Sequence, residues 1–106
     1  MVFAGTVIDA FRGLNPNSPV VVVDINGKHW NAGDYIIENS EEEIAIYAAQ
    51  EDEKTLLKKD LLETLEKLPR HGIVIVGDEW AEIWKAKEIT EEGYIVADKD
   101  EYIALY

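Results

Sequence analysis

The chain has 106 residues, 47% of them hydrophobic, which is enough for one domain with a core and too apolar for a disordered acidic tail. It contains no cysteine, which excludes disulfides and thiolate metal sites. Asp and Glu number 22 against 10 Lys and Arg, giving a formal net charge of -12. Because such a surface repels nucleic acids and anionic membranes, we expect a single domain over residues 1–106 that binds neither directly.

The N-terminal sequence has neither a basic start nor a long apolar run, so no signal peptide is predicted. No stretch approaches the roughly 20 apolar residues of a membrane-spanning helix. Both features favour a cytoplasmic protein.

Two short amphipathic helices are predicted, one in each half of the chain. Apolar residues recur at spacings of four and three in residues 7–14 and again in residues 61–68, which places each set on one helix face. Thr6 and Asp60 precede these series and are good N-cap residues. An acidic residue follows three positions after each of them, as in a capping box.

Each predicted helix is followed by a proline-containing break and then by a short apolar run, residues 20–23 or 73–76. Runs of β-branched residues at this length indicate buried strands. The Asn26-Gly27 pair predicts a hairpin turn, because both positions of that turn need a positive φ. Further strands are predicted at residues 30–37, 43–47, 80–89, 94–97 and 101–106.

Because both halves follow the same order of elements, we expect an α+β fold of two tandem, diverged α-β-β-β repeats. The repeats cover about residues 1–50 and 51–106, are related by a pseudo-two-fold axis, and pack short helices on antiparallel-rich β-structure. The alternative is that helix-turn-strand order is common in α+β domains generally. The predicted core consists of Val7, Phe11, Leu14, Val21, Val23, Trp30, Ile44, Ile46, Leu61, Leu65, Leu68, Val74, Val76, Trp80, Ile103 and Leu105.

The sequence contains no motif for catalysis, metal binding or cofactor binding. The turn beginning at Asp24 resembles the start of a calcium loop, but the required glutamate is replaced at the twelfth position by Tyr35. His29 and His71 are the only imidazoles, and they fall at unmatched places in the two halves. There is no nucleophile or nucleotide-binding motif. We therefore expect no enzyme activity, no metal and no cofactor.

The function that this composition favours is non-enzymatic binding of a protein partner with a basic surface, by a monomer or a homodimer. A phage or mobile-element accessory or inhibitor protein would fit the size and charge. The candidate binding residues are acids in and beside predicted turns, together with one tryptophan. They are Glu41, Glu42, Glu43, Glu79, Glu82, Trp84, Glu91, Glu92, Asp98 and Asp100.

Two other functions remain open. Acidic side chains can imitate nucleic-acid phosphates and block a DNA- or RNA-binding protein. Alternatively, a cleft near Trp80, Glu82 and Trp84 would bind a small molecule or perform acid chemistry, because a carboxylate beside indoles can have a raised pKa. A continuous acidic stripe favours mimicry, an apolar patch rimmed by acids favours protein binding, and a deep cleft holding an acid favours an enzyme.

Overall fold

The computed structural model describes residues 2–40, 43–49, 54–78, 80 and 82–103. Within them the chain forms two helices and six strands. In chain order they are α1 (Ala4–Phe11), β1 (Val21–Val23), β2 (His29–Ser40), β3 (Glu43–Ala48), α2 (Lys58–Glu66), β4 (Ile73–Gly77), β5 (Ile83–Ile89) and β6 (Tyr94–Ile103).

The six strands close into one barrel in the order β1-β2-β3-β4-β5-β6. Pairing is antiparallel between β1 and β2, β2 and β3, β4 and β5, and β5 and β6. Two parallel pairs complete the barrel: β3 with β4, and β6 with β1. Closure gives every strand a neighbour on both sides, which removes the free edges of an open sheet.

The predicted fold class, an α+β fold of two tandem α-β-β-β repeats, is wrong. The strands form one closed barrel, and the helices are only 8 and 9 residues long. Parallel pairs such as Val22 with Ile95, and Ile44 with Val74, join parts of the chain that the prediction placed in separate units. Hydrophobic patterns show that a strand is buried, but they do not show which distant strand lies beside it.

One core fills the barrel and extends to the helices. Val74 and Val76 of β4 belong to the same buried cluster as Phe11 of α1 and Leu65 of α2. Ile75 lies between the two valines and therefore points to the opposite face of β4, where it packs in a second, smaller cluster. The continuous apolar sequence of β4 is thus explained by burial on both of its faces.

The helices cover the end of the barrel at which β1 and β4 begin. The backbone N–H of Ala4 donates to the carbonyl of Gly72 at 2.7 Å, just before β4. Similarly, the N–H of Val20 donates to the carbonyl of Leu56 at 2.9 Å, which ties the start of β1 to the start of α2. We call this the helix end of the barrel, and the opposite end, where β1 and β4 finish, the turn end.

Both helices begin earlier than their predicted N-caps. The N-cap positions are Phe3 and Leu57, whereas Thr6 and Asp60 lie inside the first turns. Thr6 Oγ1 instead accepts a hydrogen bond from the N–H of Phe3 at 3.3 Å. Backbone carbonyls of neighbouring segments therefore replace the side-chain caps that the sequence suggested. No helix in the described part of the chain has the length and hydropathy needed to span a membrane.

Most predicted core residues are buried, with one clear error. Trp80 is 76% exposed and does not belong to the core. Leu105 lies outside the described residues. The confirmed core residues are Val7, Phe11, Val23, Ile44, Ile46, Leu61, Leu65, Val74 and Val76. The half-buried ones are Leu14, Val21, Trp30, Leu68 and Ile103.

Candidate functional site

A turn built on Asp24 connects β1 to β2 at the turn end of the barrel. One carboxylate oxygen, Oδ1, accepts hydrogen bonds from the backbone N–H groups of Asn26 and Lys28, both at 2.9 Å. The other oxygen, Oδ2, accepts the indole N–H of Trp30 at 2.9 Å. Gly27 has φ = +82°, so the predicted Asn-Gly hairpin is confirmed.

Asp24 is held in its ionised form although it is only 5% exposed. Burial acts to raise the pKa of its carboxyl group, but three hydrogen bonds and the nearby Lys28 charge outweigh that effect. The pKa therefore lies below its ordinary value of 3.8. The Lys28 ammonium also lies over the Trp30 ring, with its Nζ 4.2 Å from the ring centroid.

Asp24 should make the protein sensitive to acid. A carboxyl group whose pKa is lowered by folding stabilises the folded state above its unfolded pKa, and that contribution is lost as the pH falls through the folded pKa. Asp24→Asn should therefore be less stable than wild type at pH 7, and the gap should shrink below about pH 4 by up to 1.4 kcal/mol for each unit of the original shift. Urea unfolding from pH 7 to pH 2.5 measures this gap, and a constant gap would contradict the assignment.

A second turn, between β4 and β5, is built on Asp78 at the same end of the barrel. Asp78 is also 5% exposed, and its Oδ1 accepts the backbone N–H groups of Trp80 at 2.9 Å and Glu82 at 3.0 Å. The N–H of Asp78 donates to the carbonyl of Glu82 at 3.0 Å. A buried carboxylate thus fixes the backbone from which the Trp80 and Glu82 side chains leave.

Trp84 differs from Trp30 although both follow a turn aspartate by six residues. Each tryptophan also faces a valine of the preceding strand, Val76 or Val22. The indole N–H of Trp30 is bonded to Asp24, whereas the indole N–H of Trp84 is buried and has no hydrogen-bond partner. An unsatisfied buried donor of this kind costs stability.

The Trp84 ring instead contacts Tyr102 across the β5–β6 pair, with ring centroids 4.9 Å apart and planes at 59°. Tyr102 is 54% exposed, and Trp80 at the start of the same pair is 76% exposed. Glu82, immediately before β5, is exposed as well. We call Trp80, Glu82 and Tyr102 the aromatic–acidic surface.

The carboxylates around this surface are largely free of ion pairs. Glu101 lies 3.6 Å from Lys85, but no lysine or arginine of the described residues pairs with Glu82, Asp98 or Asp100. Asp98 Oδ1 accepts the backbone N–H of Asp100 at 3.0 Å within β6. Exposed aromatic rings therefore stand beside uncompensated negative charge.

The structure separates the predicted acidic binding residues into two groups. Glu82, Asp98 and Asp100 lie at the turn end, whereas Glu43 pairs with Ile73 at the helix end. The turn that carries Glu91 and Glu92 is also at the helix end, since the next strand residue, Tyr94, pairs with Val21. Trp84 is buried in the core rather than presented to a partner. The remaining predicted residues, Glu41, Glu42 and Glu79, lie outside the described residues.

Two clefts open on the described surface. One, of about 520 Å³, lies at the helix end beside α1, and the other, of about 440 Å³, lies between the Asp24 turn and β6. In the first, Arg70 donates to both carboxylate oxygens of Asp9, at 3.2 and 3.1 Å, so its guanidinium is already paired. Neither cleft is lined by Trp80, Glu82 or Trp84. Within the described residues, no three His, Cys, Asp or Glu side chains form a group able to hold a metal ion.

Lys58 is a buried cation that the sequence patterns did not reveal. Its Nζ donates to Ser18 Oγ at 3.0 Å and to the carbonyl of Pro19 at 2.8 Å, and it lies 5.5 Å from the centre of the Phe11 ring. Burial lowers the pKa of this lysine. Because its donors face the segment before β1, Lys58 fixes that segment to α2 and does not contribute to the aromatic–acidic surface.

Tyr102 was missed as a site residue and Trp80 was assigned to the wrong place. A signal for Trp80 was present in the sequence, because it directly follows the turn-forming Asp78-Glu79 pair and so need not lie on the strand itself. Tyr102 gave no comparable signal, because its exposure depends on where β6 ends relative to the rest of the barrel.

No protein-family model, curated protein or solved structure matches this chain. The functional argument therefore depends on the geometry of the aromatic–acidic surface.

Proposed function

We propose that the protein is a non-enzymatic binding module that attaches to a protein partner with a basic surface, through the aromatic–acidic surface. The observation that carries the proposal is the exposure of Trp80 and Tyr102, at 76% and 54%, beside carboxylates without ion-pair partners. Tryptophan and tyrosine are the residues most enriched among those that dominate binding energy. They supply large contact area at a small cost in side-chain entropy.

The charge of the surface indicates the chemistry of the partner. A net charge of -12 disfavours association with acidic proteins and with a second copy of this chain. The same charge accelerates encounter with a basic surface at low salt. Glu82, Asp98 and Asp100 place part of this charge beside the exposed rings.

Protein binding fits these observations better than nucleic-acid mimicry. Mimicry favours one continuous acidic stripe, but the described candidate acids are divided between the two ends of the barrel. At the turn end the arrangement is an aromatic patch bordered by acids, which is the pattern typical of a protein interface.

Trp80→Ala should weaken partner binding by about 10-fold or more, because it removes an exposed ring at the centre of the surface. The partner is captured from native lysate with the tagged wild-type protein, identified by mass spectrometry, produced separately, and titrated by calorimetry. Binding should also weaken as salt is raised from 50 to 300 mM, because surface charges are screened.

Phe3→Ala provides the matched control for that experiment. Phe3 is an exposed aromatic, at 40%, but it lies at the helix end, beside the first residue of β4. Its loss should leave affinity within about 2-fold of wild type. Equal affinities for wild type and Trp80→Ala would contradict the proposal, as would a partner lost equally in both variants. Circular dichroism of each variant establishes that it is folded.

A further inference from the structure

Trp80 and Glu82 are held side by side by the same oxygen atom. Their backbone N–H groups both donate to Asp78 Oδ1, at 2.9 and 3.0 Å, and Asp78 itself is buried. The two side chains therefore leave a fixed turn close together, one as an exposed indole and the other as an exposed carboxylate. Such a turn loses little conformational freedom when a ligand binds to it.

The Asp24 turn shows what this chain does with an indole next to such a turn. There the residue four positions after the aspartate is Lys28, and its ammonium lies 4.2 Å from the centre of the Trp30 ring. In the Asp78 turn the corresponding residue is Glu82. Within the described residues no cation lies over the Trp80 ring. The second turn thus offers an indole and an anion, and the cation is missing.

We propose that Trp80 and Glu82 form a recognition site for an arginine side chain of the partner. The guanidinium plane stacks on the exposed indole face, and its N–H groups donate to the Glu82 carboxylate. Arginine fits better than lysine, because a planar, weakly hydrated guanidinium can stack on a ring and pair with a carboxylate at the same time. The inference rests on the proposed function, since it names the group on the basic partner that this surface selects.

The site can be tested without knowing the partner. The chain has three tryptophans, so an amide correlation spectrum of ¹⁵N-labelled protein contains three indole N–H signals, and Trp80→Phe identifies the one from Trp80. The probes are two capped peptides, one with arginine alternating with glycine and one with lysine in place of arginine, titrated at low salt. The arginine peptide should shift the Trp80 signal and leave those of Trp30 and Trp84 in place.

The comparison of peptides and variants decides the outcome. We expect the lysine peptide to bind about 3-fold or more weakly, and Glu82→Gln to weaken the arginine peptide by about 3- to 10-fold. Glu66→Gln removes the same charge from an exposed position on α2 and should change the affinity by less than about 2-fold. An unmoved Trp80 signal, equal affinity for both peptides, or equal effects of the two glutamate variants would each overturn the inference.

Failure of this inference is distinguishable from failure of the proposed function. If Trp80→Ala abolishes binding of the captured partner while the arginine peptide leaves Trp80 unaffected, the surface is an interface but not an arginine site. If the captured partner binds Trp80→Ala as it binds wild type, the proposed function itself is wrong.

Discussion

Phe11→Ala and Leu65→Ala should each lower the free energy of unfolding by about 2–5 kcal/mol. Phe11 is 2% exposed and Leu65 is 0% exposed, and both belong to the core cluster that continues into the barrel. Truncation leaves a cavity that the helices and strands can fill only partly, so lost transfer energy and lost packing add together. Urea unfolding followed by circular dichroism measures the loss.

Glu66→Ala is the control for the helix truncations. Glu66 is exposed on α2, next to Leu65 in sequence, and its substitution should change stability by less than about 0.5 kcal/mol. A loss below about 0.5 kcal/mol for Phe11→Ala or Leu65→Ala would show that the helix concerned does not close the core as described.

These two residues also show how far the sequence predicts the fold. The spacing of Phe11 and Leu65 within their apolar series identifies the buried helix faces without any tertiary information. The closed barrel could not be derived in this way, because it depends on two parallel pairings between distant strands. An apolar strand such as β4 has the same sequence signature in an open two-layer sheet and in a barrel wall.

Trp80 shows where strand alternation fails as a guide. A single strand over residues 80–89 would place Trp80 and Trp84 on the same face, both near the core. The structure begins β5 at Ile83 instead, because the Asp78 carboxylate binds the N–H groups of Trp80 and Glu82 and turns the chain there. Side-chain to backbone hydrogen bonds compete with strand pairing at such places, and periodicity does not detect them.

The position of the acidic residues was predictable locally but not globally. Asp98, Asp100, Glu91 and Glu92 all follow or precede turn signals, so their exposure follows from sequence alone. Which of them share one end of the barrel is decided by strand direction and closure. For that reason the aromatic–acidic surface could be recognised only once the β5–β6 register was known.

The two tryptophans that follow the turn aspartates should respond differently to loss of the indole N–H. Trp30→Phe should cost about 1–3 kcal/mol at pH 7, because it removes a hydrogen bond to the buried, ionised Asp24 carboxylate. Trp84→Phe also reduces packing, but it removes a buried donor that has no partner, which offsets part of the cost. Trp84→Phe should therefore be less destabilising than Trp30→Phe by at least about 1 kcal/mol.

Acid titration separates this hydrogen-bond effect from a simple difference in packing. The indole of Trp30 helps to keep the pKa of Asp24 below 3.8, so Trp30→Phe should raise that pKa. The stability that Asp24 contributes is then smaller, and it is lost at a higher pH as the solution is acidified. Trp84→Phe should leave the acid profile of wild type unchanged apart from a constant offset. Urea unfolding of the three proteins between pH 7 and pH 2.5 measures both features. Parallel profiles for Trp30→Phe and Trp84→Phe would show that Asp24 does not depend on the Trp30 indole for its low pKa.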